Sequence, residues 1–255
     1  MARCKAYAEV AAHGVTVYSG AESSFFRMPV DDYLFLNFQH EIKTSYTLLI
    51  SNTRQAVTRI ADVSPGFLTA SLDFLQSVFP VGGRINESTY VFDSCIFENS
   101  RGQRRVFITA LPVGMSEAMT QIGLGLVPGV KYLMRLDTIE HIIFRRYVAQ
   151  TRDGETVLLL LPQEGGFRLL YAVDGLPQAV HYISDQPIYR QNELSRVLRS
   201  FESDAKIRRV VFLESIYCLD DIKQGYSWLW DCLEEKGLFP EKERVCDIYK
   251  ELLDD

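Results

Sequence analysis

Residues Leu158 to Pro177 read LLLLPQEGGFRLLYAVDGLP. Four leucines run into a Pro-Gln-Glu-Gly-Gly turn, and a second apolar run follows, closed by Asp174-Gly175. Apolar runs of this length bounded by glycine turns read as the strands of a hairpin. Such a unit has two uses. The turn's backbone N–H groups can cradle a phosphate, or the turn can simply reverse the chain. The residues around it decide which, and with them whether the chain is an enzyme.

Upstream, Lys5–Val10 and Val15–Ser19 flank His13-Gly14 and predict another hairpin. Asp32–Phe38, Tyr46–Ile50 and Ala56–Ile60 are further β-rich runs. The period then changes. From Ser64-Pro65, apolar residues at Phe67, Leu68, Leu72, Leu75 and Val78 share one helical face, with Ser64 as N-cap. Thr89–Glu98 and Arg105–Ala110 are strands joined by Asn99-Ser100-Arg101-Gly102. Pro112–Ile122 predicts a helix, Val127–Met134 a strand, and Asp137–Ala149 a helix capped by Asp137 or Thr138. After the opening stretch come a strand at Ala179–Ile183, a helix at Asn192–Phe201 and the strand Arg209–Leu213. Helices are expected at Tyr226–Lys236 and, beyond Pro240, at Lys242–Leu253.

Each half thus opens with antiparallel strands and continues with alternating helix and strand, which predicts an α/β fold of mixed sheets flanked by helices. The break falls at Gln150–Glu155. The expected division is 1–150 as a first half, carrying an appended subdomain at about 31–100, and 151–255 as a second half.

Composition narrows the function classes. The chain has 255 residues, 47% of them hydrophobic, and a net charge of −6. A nucleic-acid binder or an anionic-membrane binder shows a clustered basic excess, which is absent here. The arginine pairs at Arg104-Arg105, Arg145-Arg146 and Arg208-Arg209 each sit beside an apolar run, as solvated element ends do. The five cysteines (Cys4, Cys95, Cys218, Cys232, Cys246) have neither disulfide-framework nor zinc spacing, which fits a reducing cytosol. Lys5 and Glu9 interrupt the first residues before any signal-peptide core develops. No stretch approaches the roughly 18 apolar residues of a membrane span. A cytoplasmic location, without direct membrane insertion, is therefore expected.

Lone reactive residues offer little. His141 has no HExxH partner, His13 reads as a turn residue, and His40 and His181 as strand-end residues. Cys95 and Cys218 have no neighbouring histidine in sequence. Asp220-Asp221 form an acidic pair without a third ligand, and carboxylates at a helix start answer to the helix dipole. Catalytic residues, metal ligands and cofactors are all expected to be none.

Three stretches carry a family resemblance: VSPGFLTASLDFLQSVFPVGGRINESTYVFDSCIF (Val63–Phe97), RVFITALP (Arg105–Pro112) leading to GLGLVPGVKYLMRLDTIEHIIFRRY (Gly123–Tyr147), and LLLLPQEGGFRLLYAVDGLPQAVHYI (Leu158–Ile183). Together they resemble the PilM family of type IV pilus assembly proteins, and the type II secretion L-protein cytoplasmic domain has the same design. Both are branches of the actin-like ATPase superfamily, so the resemblance implies duplicated actin-like (ribonuclease H-like) halves. It also implies where nucleotide would sit: both first hairpins should carry an Asp and glycines, and a Gly-Gly turn should follow the strand Arg209–Leu213. This chain has EVAAHGVTVYSG at the first hairpin, Leu161-Pro162 where the second Asp belongs, and Glu214-Ser215-Ile216 after the strand. Only Gln163, Glu164, Gly165 and Gly166 remain, as a vestigial turn. The smaller closing subdomain of the second half is also missing, since only Ser184–Arg190 separates that hairpin from the next helix.

The resemblance therefore implies a non-catalytic scaffold, peripheral at the inner membrane, whose partner is the cytoplasmic tail of a pilus or secretion membrane protein. The resemblance leaves the partner-binding residues unknown. Two alternatives stay open: an active nucleotide-binding ATPase of the same superfamily using Gly165 and Gly166, and an unrelated α/β enzyme.

Overall fold

In a computed structural model of the chain, the described residues are 6–11, 14–19, 22–27, 46–52, 55–79, 89–124, 131–150, 154–163, 165–204, 206–214, 227–245 and 247–248. The first sheet holds β1 (Ala6–Ala11), β2 (Gly14–Ser19), β3 (Glu22–Arg27), β4 (Tyr46–Asn52) and β8 (Lys131–Thr138), in the order β3-β2-β1-β4-β8. A three-stranded sheet is ordered β5-β7-β6, from β5 (Val57–Val63), β6 (Tyr90–Glu98) and β7 (Arg104–Pro112). The last sheet runs β11-β10-β9-β12-β13, from β9 (Thr156–Gln163), β10 (Gly166–Val173), β11 (Leu176–Ser184), β12 (Arg209–Glu214) and β13 (Glu241–Arg244).

The two five-stranded sheets repeat one plan. In each, three antiparallel strands form a meander whose first strand pairs in parallel with the next, which pairs in parallel with the last. Helices α1 (Leu72–Val78), α2 (Val113–Leu124), α3 (Ile139–Gln150), α4 (Arg190–Asp204) and α5 (Ser227–Glu234) connect or flank these strands.

This plan explains the four leucines. Strand β9 is central and every residue of it is buried. Val157, Leu159 and Leu161 face a core shared with Ile139, Ile142, Ile143 and Tyr147 of α3 and with Phe97 and Phe107 of the three-stranded sheet. Leu158 and Leu160 face the opposite core, with Leu194, Val197 and Leu198 of α4 and Trp228, Leu229 and Leu233 of α5. A strand covered on both faces cannot alternate apolar and polar residues. Its turns are equally explicit. Asp174 and Gly175 both take positive φ (52° and 75°), the geometry of a two-residue Asp-Gly turn. At Asn99–Gly102, the Asn99 side-chain oxygen accepts from Arg101 N at 3.1 Å and Gln103 N at 3.0 Å.

The structure departs from the sequence reading at several elements. The helix expected from Ser64 begins at Leu72, where Ser71 Oγ accepts from Phe74 N at 3.2 Å. Residues 64–70 lie outside any helix, with Phe67 N donating to Ser64 O and Leu68 78% exposed. Pro65 followed by Gly66 and the capping Ser71 outweighs the apolar spacing there. Thr138, the last residue of β8, stands immediately before α3 and so takes the expected N-cap position, although its buried Oγ1 makes no hydrogen bond there; Asp137 lies within β8. Lys242–Arg244, expected to open a helix, instead belong to the strand Glu241–Arg244, whose parallel pairing with β12 overrides the helical preference of Glu, Lys and Arg. Strand β3 has no counterpart in the sequence reading, because ESSFFR lacks clean alternation. Asp32–Phe38 and half of the helix expected at Lys242–Leu253 lie outside the described residues; of the rest, Val245, Asp247 and Ile248 are helical.

Ile143 is fully buried in the core beneath β9. Ile143→Ala is expected to cost about 2–5 kcal/mol, read as a lowered urea midpoint; loss no larger than that of an exposed substitution would contradict the packing.

Candidate functional site

The turn at Gln163–Gly166 lies where β9 passes into β10. Glu164 falls outside the described residues. Gly165 has φ of 70°, and its carbonyl accepts from Asp185 N at 3.0 Å, which closes the meander. At Gly166 a Cβ would stand 2.1 Å from the Ile183 carbonyl oxygen, so β11 approaches too closely for any side chain. Chain reversal and strand contact thus account for both glycines without a ligand.

The polar side chains beside the turn point into the protein. Gln163 is 3% exposed and donates through Nε2 to Glu140 Oε1 at 3.0 Å. Arg168 is 5% exposed; its Nε lies 2.9 Å from Gln163 Oε1 and 2.7 Å from Glu140 Oε1. A second guanidinium nitrogen of Arg168 donates to the Ala56 carbonyl at 3.0 Å. Glu140 is fully buried in the first turn of α3, where the helix dipole favours its charge. Burying either ion alone would cost several kcal/mol, so each requires the other. The cluster joins β9, β10, α3 and the residue before β5. Sequence reasoning missed it, although one signal was present: Arg168 is a lone cation inside an apolar run.

A second arginine ties the same sheets. Arg105 of β7 binds Asp62 of β5 at 2.7 Å and donates to the Pro177 carbonyl at 3.1 Å and to Gln178 Oε1 on β11. Between the two arginines lies a groove of about 180 Å³, lined by Thr58, Arg59 and Ile60 of β5 and Gln178, Ala179 and Val180 of β11. Both lining strands stand at the edge of their sheets. An edge strand offers backbone donors and acceptors to an extended partner.

Among the described residues, the other singled-out side chains do not converge on one site. His141 is buried with its ring 5.2 Å from that of Phe107. His181 lies within β11, 5.6 Å from the Phe201 ring; burial, then Arg196, lowers its pKa. Cys95 Sγ accepts from Arg145 Nε at 3.1 Å. Tyr147 donates to Glu243, and burial followed by that carboxylate raises the phenol's pKa well above its ordinary range. His13, His40, Cys218 and Asp220-Asp221 lie outside the described residues. Among the described residues, no group of three or more His, Cys, Asp or Glu is placed to hold a metal ion, and no helix is long and apolar enough to cross a membrane.

No family model matches the chain, and no curated protein matches it in sequence. Solved structures do resemble it. A chain of a PilM-PilN type IV pilus biogenesis complex is 14% identical at a TM-score of 0.61, with 96% of this chain and 90% of that chain covered. A Bacteroides thetaiotaomicron protein of actin-like ATPase fold is 10% identical at a TM-score of 0.56, with 98% and 96% covered. The cytoplasmic domain of EpsL from Vibrio cholerae gives 7% identity and a TM-score of 0.49, with 81% and 80% covered. The first two establish an actin-like fold for this chain.

The two glycine environments make a direct test. Gly166→Ala is expected to cost about 1–3 kcal/mol through the clash with β11. Gly66→Ala, where nothing stands within 4 Å of the added carbon, should be neutral or stabilising by up to about 1 kcal/mol. Equal midpoints for the two variants in urea would contradict the close approach.

Proposed function

We propose that the chain is a non-catalytic actin-like scaffold of a type IV pilus or type II secretion kind of assembly. It acts at the cytoplasmic face of the inner membrane and grips the cytoplasmic tail of a membrane protein. The observation that carries this reading is the inward commitment of the second hairpin. Gln163 and Arg168, the polar side chains nearest the turn, bond to Glu140 and Ala56. Pro162 supplies no backbone donor there, and Glu164 would repel phosphate. The likeness to a chain solved within a pilus biogenesis complex supports the choice of system. The groove between β5 and β11 is the surface this reading assigns to the tail, because two sheet edges suit an extended backbone.

The rival reading, an active ATPase of the same fold, makes the opposite forecast for nucleotide. A ligand bound only by the native state adds about 2.7 kcal/mol at a hundred times its Kd, which is several degrees in melting temperature. The scaffold reading expects no shift with millimolar Mg-ATP, Mg-ADP or Mg-GTP and no phosphate release above buffer. A saturable shift with turnover would install the ATPase instead.

Docking is tested by fluorescence anisotropy with labelled cytoplasmic tails of pilus and secretion membrane proteins. Saturable binding of one tail, weakened at least about tenfold by Ile60→Asp in the groove, is the expected result. Binding unaffected by that change would move the site elsewhere, and failure of every tail would refute the reading.

A further inference from the structure

In the three-stranded sheet and the last five-stranded sheet, the strand arginines Arg104, Arg105, Arg168, Arg209 and Arg244 each hold a carboxylate at 2.7 to 3.0 Å. Arg59 of β5 holds none among the described residues. Its guanidinium lies 5.7 Å from the centre of the Phe79 ring, and Nη1 donates to the Thr58 carbonyl at 2.9 Å. These contacts fix the fork at the rim of the groove that Arg59 lines. The residue is exposed, and most of its five N–H donors are left to solvent.

The ladder decides which backbone groups of β5 face outward. Asn99 N donates to Gln103 O and Val113 N to Thr89 O, so odd-numbered residues of β7 bond to β6 and even-numbered ones to β5. By register, Val57, Arg59, Ala61 and Val63 therefore bond to β7, while Thr58, Ile60 and Asp62 turn their N–H and C=O away from it. Arg59 occupies the Thr58 carbonyl. Ile60 keeps both groups, with no backbone partner on that side among the described residues. We propose that the groove reads an acidic extended segment. One apolar residue of the segment pairs with the Ile60 backbone and packs against Ile60, Ala179 and Val180 in the space of about 180 Å³. Side chains alternate along a strand, so the next residue lies on the Arg59 face, where its carboxylate meets the fixed fork. A guanidinium already held in place loses little freedom on pairing. This inference rests on the groove being the seat of the tail, and it adds the charge that the tail must carry.

The test uses two model peptides, Val-Glu-Val-Glu-Val and Val-Gln-Val-Gln-Val, titrated into the whole chain and followed by NMR at the Ile60 amide and the Arg59 side chain. The glutamate peptide is expected to shift both signals and to bind about tenfold more tightly than the glutamine peptide, the scale of one charge-assisted bidentate pair. Arg59→Gln should remove that preference and Arg59→Lys should keep part of it. Raising ionic strength from about 0.05 M to about 0.5 M should weaken the glutamate peptide alone. Equal binding of the two peptides by the parent chain, a preference that survives Arg59→Gln, or no shift at Ile60 overturns the inference. The first of these comparisons needs no variant, so a poorly folded one does not blunt the test. Failure here is distinguishable from failure of the tail reading. Tails that bind and respond to Ile60→Asp but not to Arg59→Gln would leave that reading standing and sink this one. Discrimination between the peptides with no tail bound would do the reverse.

Discussion

A buried arginine bound to a buried glutamate sets the terms for the rest of the structure. Arg168 and Glu140 sit 2.7 Å apart with almost no solvent contact. Gln163 adds hydrogen bonds to both partners, and the Ala56 carbonyl takes another guanidinium donor. Ions held this way contribute less to net stability than to geometry, because removing either one strands the other in a low-dielectric interior. The geometry they specify is the meeting of four chain segments: the end of β9, the start of β10, the first turn of α3 and the entry to β5. One wall of the groove, Thr58–Ile60, starts two residues beyond the Ala56 carbonyl that Arg168 holds.

Much of the fold was legible because the period of burial matches the period of the sequence. The strands of the second meander, their Asp-Gly turn, the hairpin closed by Asn99–Gly102 and the apolar face of α3 all announce themselves locally. The unreadable parts depend on partners far away in sequence. Glu241–Arg244 has a helical composition and becomes a strand only because β12 offers a free edge. The residues from Ser64 to Ala70 have helical spacing, but no core lies over Leu68. Propensity yields to tertiary pairing in the first case, and spacing without burial has no force in the second.

The site was less legible than the fold. Gln163, Gly165 and Gly166 could be singled out from the sequence as the remains of a phosphate-type turn. What explains them could not. The reason for Gly166 is a carbonyl on β11, and the partners of Gln163 are Glu140, 23 residues upstream, and Arg168 on the next strand. The groove is harder still, since its walls come from Thr58–Ile60 and Gln178–Val180, more than a hundred residues apart. The one accessible hint was Arg168 itself: a cation flanked by phenylalanine and leucines needs a buried anion, and the sequence offers many acids without saying which.

The account stands or falls on whether Arg168 and Glu140 act as one unit. A double-mutant cycle on unfolding free energy, with Arg168→Met, Glu140→Gln and the pair together, measures this directly. Each single change should cost about 3–5 kcal/mol, and the double variant should lose no more than the worse single, a coupling of at least about 3 kcal/mol. Additive losses, or single losses below about 1 kcal/mol, would mean that the two side chains do not hold these segments together.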